Sequence, residues 1–414
     1  MGKVSVALGT SEQLTVRTVP VEGPVDLIAR LPHPSALAWV RHDSGLVGWG
    51  EAARIRVPGG DDRFGWARRR LATLFQNALV DDSVGVPGSG AVAFGSFGFD
   101  PKNDDSVLIV PRVVLGWRDG TAWHTTIGDD VDPLTLMRPA EEPEGLEWSG
   151  GSMGEERWGR AVESAVRRIR GGALGKVVLA RDLKVRASAP IDARVLLRRL
   201  AERYPECYTF AVDGLVGATP ELLVRRIGGQ IESLVLAGTT PRGGDEDEDA
   251  ELGRALLRSG KDRGEHAYAA EMVREALRPL CVELDVPRVP ELLRLANLQH
   301  LATPVRGRLA EERSVLDVLG ALHPTPAVCG TPTGEAMELI RELEEMDRSR
   351  YAGPVGWVDA RGDGEWGIAL RCAQLDGAEA RLFAGCGIVA GSTAPAELAE
   401  TRTKFRAMRY ALEG

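Results

Sequence analysis

Cysteine is scarce in this sequence, and the few that occur form no motif. There are five among 414 residues, an odd number, widely spaced and without a Cys-x-x-Cys pair. This arrangement argues against a disulfide framework and a structural zinc site, and it predicts a reducing, cytoplasmic environment. The six histidines likewise show no metal-ligand spacing. The cysteines are Cys207, Cys281, Cys329, Cys372 and Cys386.

Long apolar runs and nucleotide-binding motifs are also missing. No stretch approaches the roughly 18–20 apolar residues of a membrane span, and residues 1–20 lack the continuous apolar core of a signal peptide. No Walker loop is present. The loose dinucleotide pattern at 88–93 runs into a strand-like segment rather than a helix. We therefore expect a soluble protein with neither a membrane nor a dinucleotide as its partner.

Positive charge is in deficit, which bears on the class of ligand. The formal net charge is −9, with 51 basic and 60 acidic residues. A diffuse acidic balance argues against nucleic acid as a partner, and it requires that any anionic substrate meet a local cluster of cations. The run Asp245–Asp249 contains five consecutive carboxylates. It could bind a cation, but like charges repel without a partner, so we predict a solvated surface loop.

Apolar periodicity divides the chain into two parts. Residues 1–145 carry short alternating runs that predict antiparallel strands, with one clear helix at Arg63–Val80. The segment Pro139–Gly154 has no periodicity and is predicted to be a connector. In residues 155–414, blocks of strands and helices alternate without a βαβ rhythm, which predicts an α+β fold with mainly antiparallel sheet, built as one elaborate domain or two joined halves. The individual predictions include strands at Val4–Leu8, Lys176–Val185 and Glu365–Gln374, and helices at Lys261–Cys281 and Pro395–Leu412.

The last predicted helix presents a possible anion or metal site. Glu397, Glu400 and Lys404 are spaced i, i+3 and i+7 and therefore share one helical face. The glycine-rich turn at 384–391 precedes the helix, and such turns let backbone N–H groups approach an anion. Spacing alone favours a simpler alternative, an exposed ion pair between Glu400 and Lys404.

A second carboxylate lies on a middle helix. Ser259 and Asp262 have the spacing of a capping box, and Glu265 extends the apolar stripe of the helix that follows. Paired with Glu400, Glu265 would form an all-oxygen site suited to Mg²⁺. The alternative is a glutamate that is favoured near a helix start by the macrodipole.

Two further residues have the chemistry of an acid and a base. Lys176 opens a strand and shares a face with Val178 and Ala180, so its amine could be partly desolvated and act as a general base. The alternative is an edge-strand lysine that discourages aggregation. Glu221 follows Thr219-Pro220 and could be a general acid at a strand mouth, or simply a turn glutamate.

Taken together, these segments resemble the chorismate-utilising family, which includes isochorismate, salicylate, anthranilate and aminodeoxychorismate synthases. The matches follow the family order from Trp158 to the C-terminus, while the N-terminal part is more diverged. They are KVVLAR at 176–181, GATPELL at 217–223, LAGTTPRG at 236–243, SGKDRGEH at 259–266, LQHL at 298–301, HPTPAVCGTP at 323–332, YAGPVG at 351–356, AGCGIV at 384–389 and PAELAETRTK at 395–404.

The resemblance implies a fold and a set of roles. The fold would be the α+β chorismate-binding fold, with large antiparallel sheets sandwiched and flanked by helices, residues 155–414 forming the catalytic region and 1–145 a β-rich half packed into it. Lys176 would be the base that activates water, and Glu221 the acid that protonates a leaving hydroxyl. Mg²⁺ would be held by Glu265 and Glu400, with Glu397 nearby. The substrate-binding residues would be Gly238, Thr239, His300, Ala327, Tyr351, Arg371, Gly385, Gly387 and Lys404.

Three positions indicate the branch of the family. The resemblance implies that a lysine at 176 belongs to members that use water, whereas those that use an amine have another residue. Ala237 stands where aminodeoxychorismate synthases tend to carry a nucleophilic lysine, and Ala327 where pyruvate-eliminating members tend to have threonine. The pattern favours an isochorismate synthase, an isomerase that converts chorismate to isochorismate.

Alternatives remain at the level of sequence. A salicylate synthase would add pyruvate elimination, which Ala327 disfavours. A catalytically silent chorismate-binding protein would have lost Lys176, Glu221 or a metal carboxylate, and all are present. The family resemblance suggests a monomer. Isochorismate feeds menaquinone and catecholate siderophores alike, and the sequence does not distinguish these pathways.

Overall fold

The computed structural model describes residues 13–128, 139–294, 298–311 and 313–414, the side chain of Lys261 excepted. Within these residues, eight α-helices and 23 strands form. The helices are α1 Arg63–Gln76, α2 Glu155–Arg170, α3 Ala193–Arg203, α4 Glu246–Arg258, α5 Gly260–Leu277, α6 Val315–Leu322, α7 Thr333–Leu343 and α8 Ala394–Glu413. The strands are β1 Thr15–Val21, β2 Leu37–Arg41, β3 Ser44–Trp49, β4 Ala53–Val57, β5 Leu79–Asp82, β6 Val92–Ser96, β7 Ser106–Val110, β8 Val113–Arg118, β9 Thr121–Ile127, β10 Glu147–Gly150, β11 Lys176–Arg186, β12 Tyr208–Val212, β13 Leu215–Thr219, β14 Leu222–Ile227, β15 Gln230–Pro241, β16 Cys281–Asp285, β17 Glu291–Arg294, β18 Leu298–Leu309, β19 Gly330–Thr331, β20 Pro354–Asp359, β21 Gly364–Ile368, β22 Cys372–Asp376 and β23 Glu379–Ile388.

The strands assemble into two large sheets. Among the described residues, the larger sheet has 13 strands in the order β10-β11-β23-β22-β13-β12-β2-β3-β8-β9-β1-β5, with β19 beside β11. The smaller has 10, in the order β16-β18-β15-β14-β21-β20-β6-β7-β4, with β17 beside β18. Only the β1–β5 pairing in the described residues is parallel, so the predicted α+β class with antiparallel sheets is confirmed.

Both sheets combine strands from the two parts of the chain. In the larger sheet β12 pairs with β2, and in the smaller sheet β20 pairs with β6. Large aromatic side chains from both sheets, including Trp39, Phe94, Phe210 and Trp366, are buried in one apolar cluster. A second cluster forms where α3 and α8 cover the larger sheet. Because these strands are hydrogen-bonded to one another, each sheet runs without interruption from the β-rich segment into the rest of the chain.

Several local predictions need correction. Helix α1 ends at Gln76, not Val80, because Leu79 N–H donates to the Leu14 carbonyl and begins β5. The predicted connector contains β10, which pairs with β11. The predicted strand Glu365–Gln374 is two strands, β21 and β22. The prediction at Val4–Leu8 lies outside the described residues.

The acidic run is not a loop. Asp245 caps α4 by accepting a hydrogen bond from the Glu248 N–H, and the rest of the run forms the first turn of the helix. Carboxylates are stabilised there by the helix dipole. The predicted loop is therefore wrong, whereas the predicted exposure holds for the first four carboxylates and fails at Asp249, which is buried and bonded to Arg242 and Gln299. None of the described helices combines the length and apolarity needed to cross a membrane.

Candidate active site

Lys176 lies inside the larger sheet and reaches a carboxylate on a helix. Strand β11 has β23 on one side and β10 and β19 on the other, so Lys176 is not on a free edge. Its Nζ lies 2.5 Å from Oε1 of Glu265 on α5. The exposed fractions of the two side chains are only 18% and 30%. The alternative of an aggregation-blocking edge lysine is therefore wrong, and a base candidate adjoins a metal-ligand candidate.

Gly387 leaves the space that Lys176 occupies. It lies opposite Val178 across the β11–β23 pair, and a Cβ on Gly387 would be 2.7 Å from Cε of Lys176. That distance is shorter than any normal contact between carbon atoms. The glycine therefore sets where the lysine amine can lie.

A methyl group at this position is expected to slow turnover with little loss of stability. In Gly387→Ala the flexible end of Lys176 must shift by about 1 Å, and a misplacement of that size in a catalytic group costs on the order of 10²-fold in rate. The matched control is Gly391→Ala, because a Cβ there meets nothing within 4 Å. We expect kcat to fall only in the first variant, with both melting near the wild-type temperature. Equal activity of the two variants would contradict this role of Gly387.

The C-terminal helix brings a second lysine–carboxylate pair to the same strand. Lys404 Nζ lies 2.6 Å from Oε1 of Glu400, the ion pair that spacing alone favoured, and it also donates to the Gly385 carbonyl at 2.8 Å. Lys404 thus links α8 to β23 next to Gly387. Glu397, one turn before Glu400, is partly buried and lies near the Cys386 thiol.

Glu221 has the properties of an acid. It lies between β13 and β14, where its N–H donates to Oγ1 of Thr219. Burial raises the pKa of Glu221 to about 7, although Lys176, Arg371 and Lys404 are near enough to pull it down. A carboxyl group with such a pKa still carries its proton in a large fraction of molecules near neutrality and can therefore donate it. The same three cations mark the neighbourhood of Lys176 and Glu221 as one site.

Arg371 occupies the break between β21 and β22. Its backbone has a φ of +48°, and its carbonyl accepts a hydrogen bond from the Ala218 N–H. Burial lowers the pKa of Arg371, but a guanidinium keeps its charge in proteins. Tyr351 is nearby, stacked on Phe383 with ring centroids 5.1 Å apart.

Thr239 and His300 face each other across β15 and β18. Oγ1 of Thr239 lies 2.9 Å from Nδ1 of His300, and the preceding Gly238 has a φ of +76° at an irregularity in the strand pairing. Burial, with help from Arg371 and Lys404, lowers the pKa of His300 to about 4, so the ring is neutral at pH 7. Its Nε2 is buried without a hydrogen-bond partner. A buried orphan nitrogen at this place suits contact with a polar ligand group.

Two adjoining cavities meet at Arg371 and Lys404. The inner cavity, of about 70 Å³, is lined by Ala327, Tyr351, Arg371, Gly385 and Lys404. The outer cavity, of about 440 Å³, shares Arg371 and Lys404 with it. Five of the nine predicted substrate-binding residues therefore line the inner cavity, including the two cations that an anionic substrate requires, whereas Gly238, Thr239, His300 and Gly387 line neither cavity.

The candidate metal ligands are less closely gathered. No group of three or more His, Cys, Asp or Glu side chains in the described part of the chain is close enough to hold a metal. Glu265 and Glu400 each contact a lysine instead. Carboxylates are nevertheless the ligand type that Mg²⁺ takes, usually one or two of them together with substrate oxygens and water.

Sequence reasoning missed a buried ion pair behind the site. Arg348 and Glu344 are almost fully buried and bonded to each other. Glu344 accepts a hydrogen bond from the Ala180 N–H, and Arg348 donates to the carbonyls of Val178 and Val328. The pair therefore fixes β11 relative to the turn that carries Ala327. The i, i+4 spacing of Glu344 and Arg348 can be read from the sequence. Ion pairs with this spacing are common on exposed helix surfaces, so the spacing does not indicate a buried pair.

Two mainly antiparallel sheets that both contribute residues to one candidate site define a class of protein. Residues 135–413 match the family described as chorismate binding enzyme, and the chain belongs to that family.

Individual relatives carry more specific names. The chain is 44% identical to the isochorismate synthase DhbC of Bacillus subtilis over 269 residues, which cover 62% of this chain and 68% of that protein. It is 36% identical to the salicylate biosynthesis isochorismate synthase of Pseudomonas aeruginosa over 410 residues, covering 91% and 84%. Among solved structures, it is similar to MenF, the menaquinone-specific isochorismate synthase of Escherichia coli, with a TM-score of 0.81, 25% identity and coverage of 97% and 96%.

Proposed function

We propose that this enzyme converts chorismate to isochorismate with the help of Mg²⁺. The observation that carries the proposal is the combination, around one site, of the Lys176 amine with the Glu221 carboxyl group, whose pKa is raised to about 7. A base and an acid on opposite sides of a ring suit the addition of water at one carbon and the loss of a hydroxyl group at another. The names of the relatives support the same reaction.

The proposed reaction conserves every atom. Lys176 takes a proton from a water molecule while the oxygen of that water forms a bond to ring carbon 2. The ring electrons shift, the bond from carbon 4 to its hydroxyl oxygen breaks, and Glu221 gives that oxygen a proton so that it leaves as water. One water molecule enters and one leaves, so the net result is an isomerisation.

The remaining residues would bind and orient the substrate. Arg371 and Lys404 would pair with its two carboxylates, and Thr239 with neutral His300 would contact the leaving hydroxyl. Glu265 and Glu400 would hold Mg²⁺, which supplies positive charge at the ring carboxylate.

The product identifies the reaction. We expect the chain, incubated with chorismate and Mg²⁺ in the absence of ammonia, to form isochorismate alone, as measured by chromatography and mass spectrometry. Ala327 and Ala237 support this expectation over pyruvate elimination and amine transfer. Salicylate with an equal amount of pyruvate would instead identify a salicylate synthase. Loss of all product on chelation, restored by Mg²⁺, would support the metal requirement.

A further inference from the structure

The outer cavity carries more positive charge than the proposed chemistry uses. Arg203, Arg242 and Arg294 line it in addition to Arg371 and Lys404. Two glutamates, Glu202 and Glu206, are the carboxylates among its described lining residues. The cations thus outnumber the anions in this one cavity, although the chain as a whole has a net charge of −9. A concave cationic surface raises the local concentration of an anion and its rate of association.

A buried carboxylate holds two of these arginines at the cavity wall. Asp249 lies 2.6 Å from Nε of Arg242 and 3.5 Å from Nε of Arg294. It also accepts hydrogen bonds from the Gly243 N–H and from Nε2 of Gln299. Because two guanidinium groups share one carboxylate, the cluster keeps a positive charge. Half of the Arg294 side chain stays exposed to solvent.

The cluster is built into the strands that carry the site. Arg242 follows β15, which holds Thr239, and Gln299 precedes His300 in β18. Asp249 is on α4, and Arg294 ends β17. The cluster therefore connects both arginines to the strands that carry Thr239 and His300.

We propose that the outer cavity is the access route of the dianionic substrate, and that Arg294, positioned by Asp249, speeds its capture. The inference rests on the proposed function for the identity of the substrate. Arg294 acts on the approaching anion, before the reacting atoms are in place. Its removal therefore affects association and not the chemical step.

The test compares Arg294→Gln with a control of equal charge change. Arg254→Gln is suitable, because Arg254 is an exposed residue of α4 that pairs with Glu251 and does not line the cavity. Chorismate association with the Mg²⁺-supplemented protein is followed by stopped-flow quenching of tryptophan fluorescence, and kcat and kcat/KM are measured in parallel. At low salt, where the Debye length is about 30 Å, we expect a three- to tenfold slower association in Arg294→Gln only, with kcat unchanged.

High salt and the conservative variant Arg294→Lys distinguish an effect of the Arg294 charge from an effect on the structure. The deficit of Arg294→Gln is expected to vanish near 1 M salt, where screening acts within about 3 Å. Arg294→Lys is expected to restore most of the association rate. A deficit that persists at high salt, or an Arg294→Gln protein that behaves like Arg254→Gln at low salt, overturns the proposal.

The outcomes also distinguish this inference from the proposed function. Salt-dependent capture of chorismate that leads to a different product would contradict the function and support the access route. Formation of isochorismate with no effect at Arg294 would contradict the access route alone. A protein that neither binds nor converts chorismate contradicts both.

Discussion

Lys176→Ala is expected to abolish the addition of water while leaving the fold intact. A positioned general base contributes on the order of 10²–10⁴-fold in rate, and the alanine variant has no group to take its place. The stability cost is modest, because 30% of the Glu265 side chain is exposed and water can hydrate the carboxylate that loses its partner, which it could not do for a fully buried pair. The measurement is isochorismate formation at saturating chorismate and Mg²⁺, with thermal unfolding recorded alongside.

Two further variants make the role of Lys176 specific. Lys184→Ala removes an exposed lysine from the same strand and is expected to retain full activity. Lys176→Arg keeps a positive charge, but a guanidinium does not give up its proton, so this variant is expected to be as inactive as the alanine variant. Near-normal turnover in Lys176→Ala would remove the lysine from the base role, and activity in Lys176→Arg would point to an electrostatic role instead.

Local patterns predicted those elements whose determinants lie close in the sequence. Helix α5 begins as expected because Ser259 accepts a hydrogen bond from the Asp262 N–H, and these two residues are only three positions apart. The β11 prediction holds for the same reason, since Val177, Val178 and Leu179, which favour a strand, are consecutive in the sequence. A prediction fails where the end of an element depends on a contact with a residue that is distant in the sequence. The end of α1 depends on Leu14, 65 residues before Leu79, and nothing near residue 76 announces it.

The break at Arg371 has the same origin and matters more for the site. Ala369 N–H donates to the Gly353 carbonyl, its own carbonyl accepts from the Ala352 N–H, and Arg371 takes a positive φ. These contacts hold the guanidinium next to Tyr351 instead of continuing the strand. An apolar run read alone shows no sign of this turn.

The prediction of a loop at residues 245–249 failed for an electrostatic reason. The five carboxylates repel one another, but Asp249 is also bonded to Arg242, seven residues earlier, and to Gln299, fifty residues later. Spacing likewise left every candidate site residue ambiguous, since Lys176 and Glu265 are 89 residues apart. The resemblance to a family selected among those alternatives; composition and periodicity did not.

The second large effect is expected at Glu221. Glu221→Gln preserves the shape of the side chain and can still donate a hydrogen bond, but it cannot transfer a proton. We therefore expect kcat to fall by about 10²–10⁴-fold, the usual contribution of a general acid. Glu232→Gln, which neutralises an exposed carboxylate on β15, is the matched control and should behave like the wild type.

The pH profile tests the same assignment independently. Burial raises the pKa of Glu221 from 4.5 to about 7, so the acid is protonated below that pH and is lost as the pH rises through it. The wild-type profile of kcat/KM should consequently bend downward near pH 7, because each unit above that pH removes about nine-tenths of the protonated form. In Glu221→Gln this bend should disappear. A bend that survives the substitution would belong to another group, and Glu221 would then not be the acid.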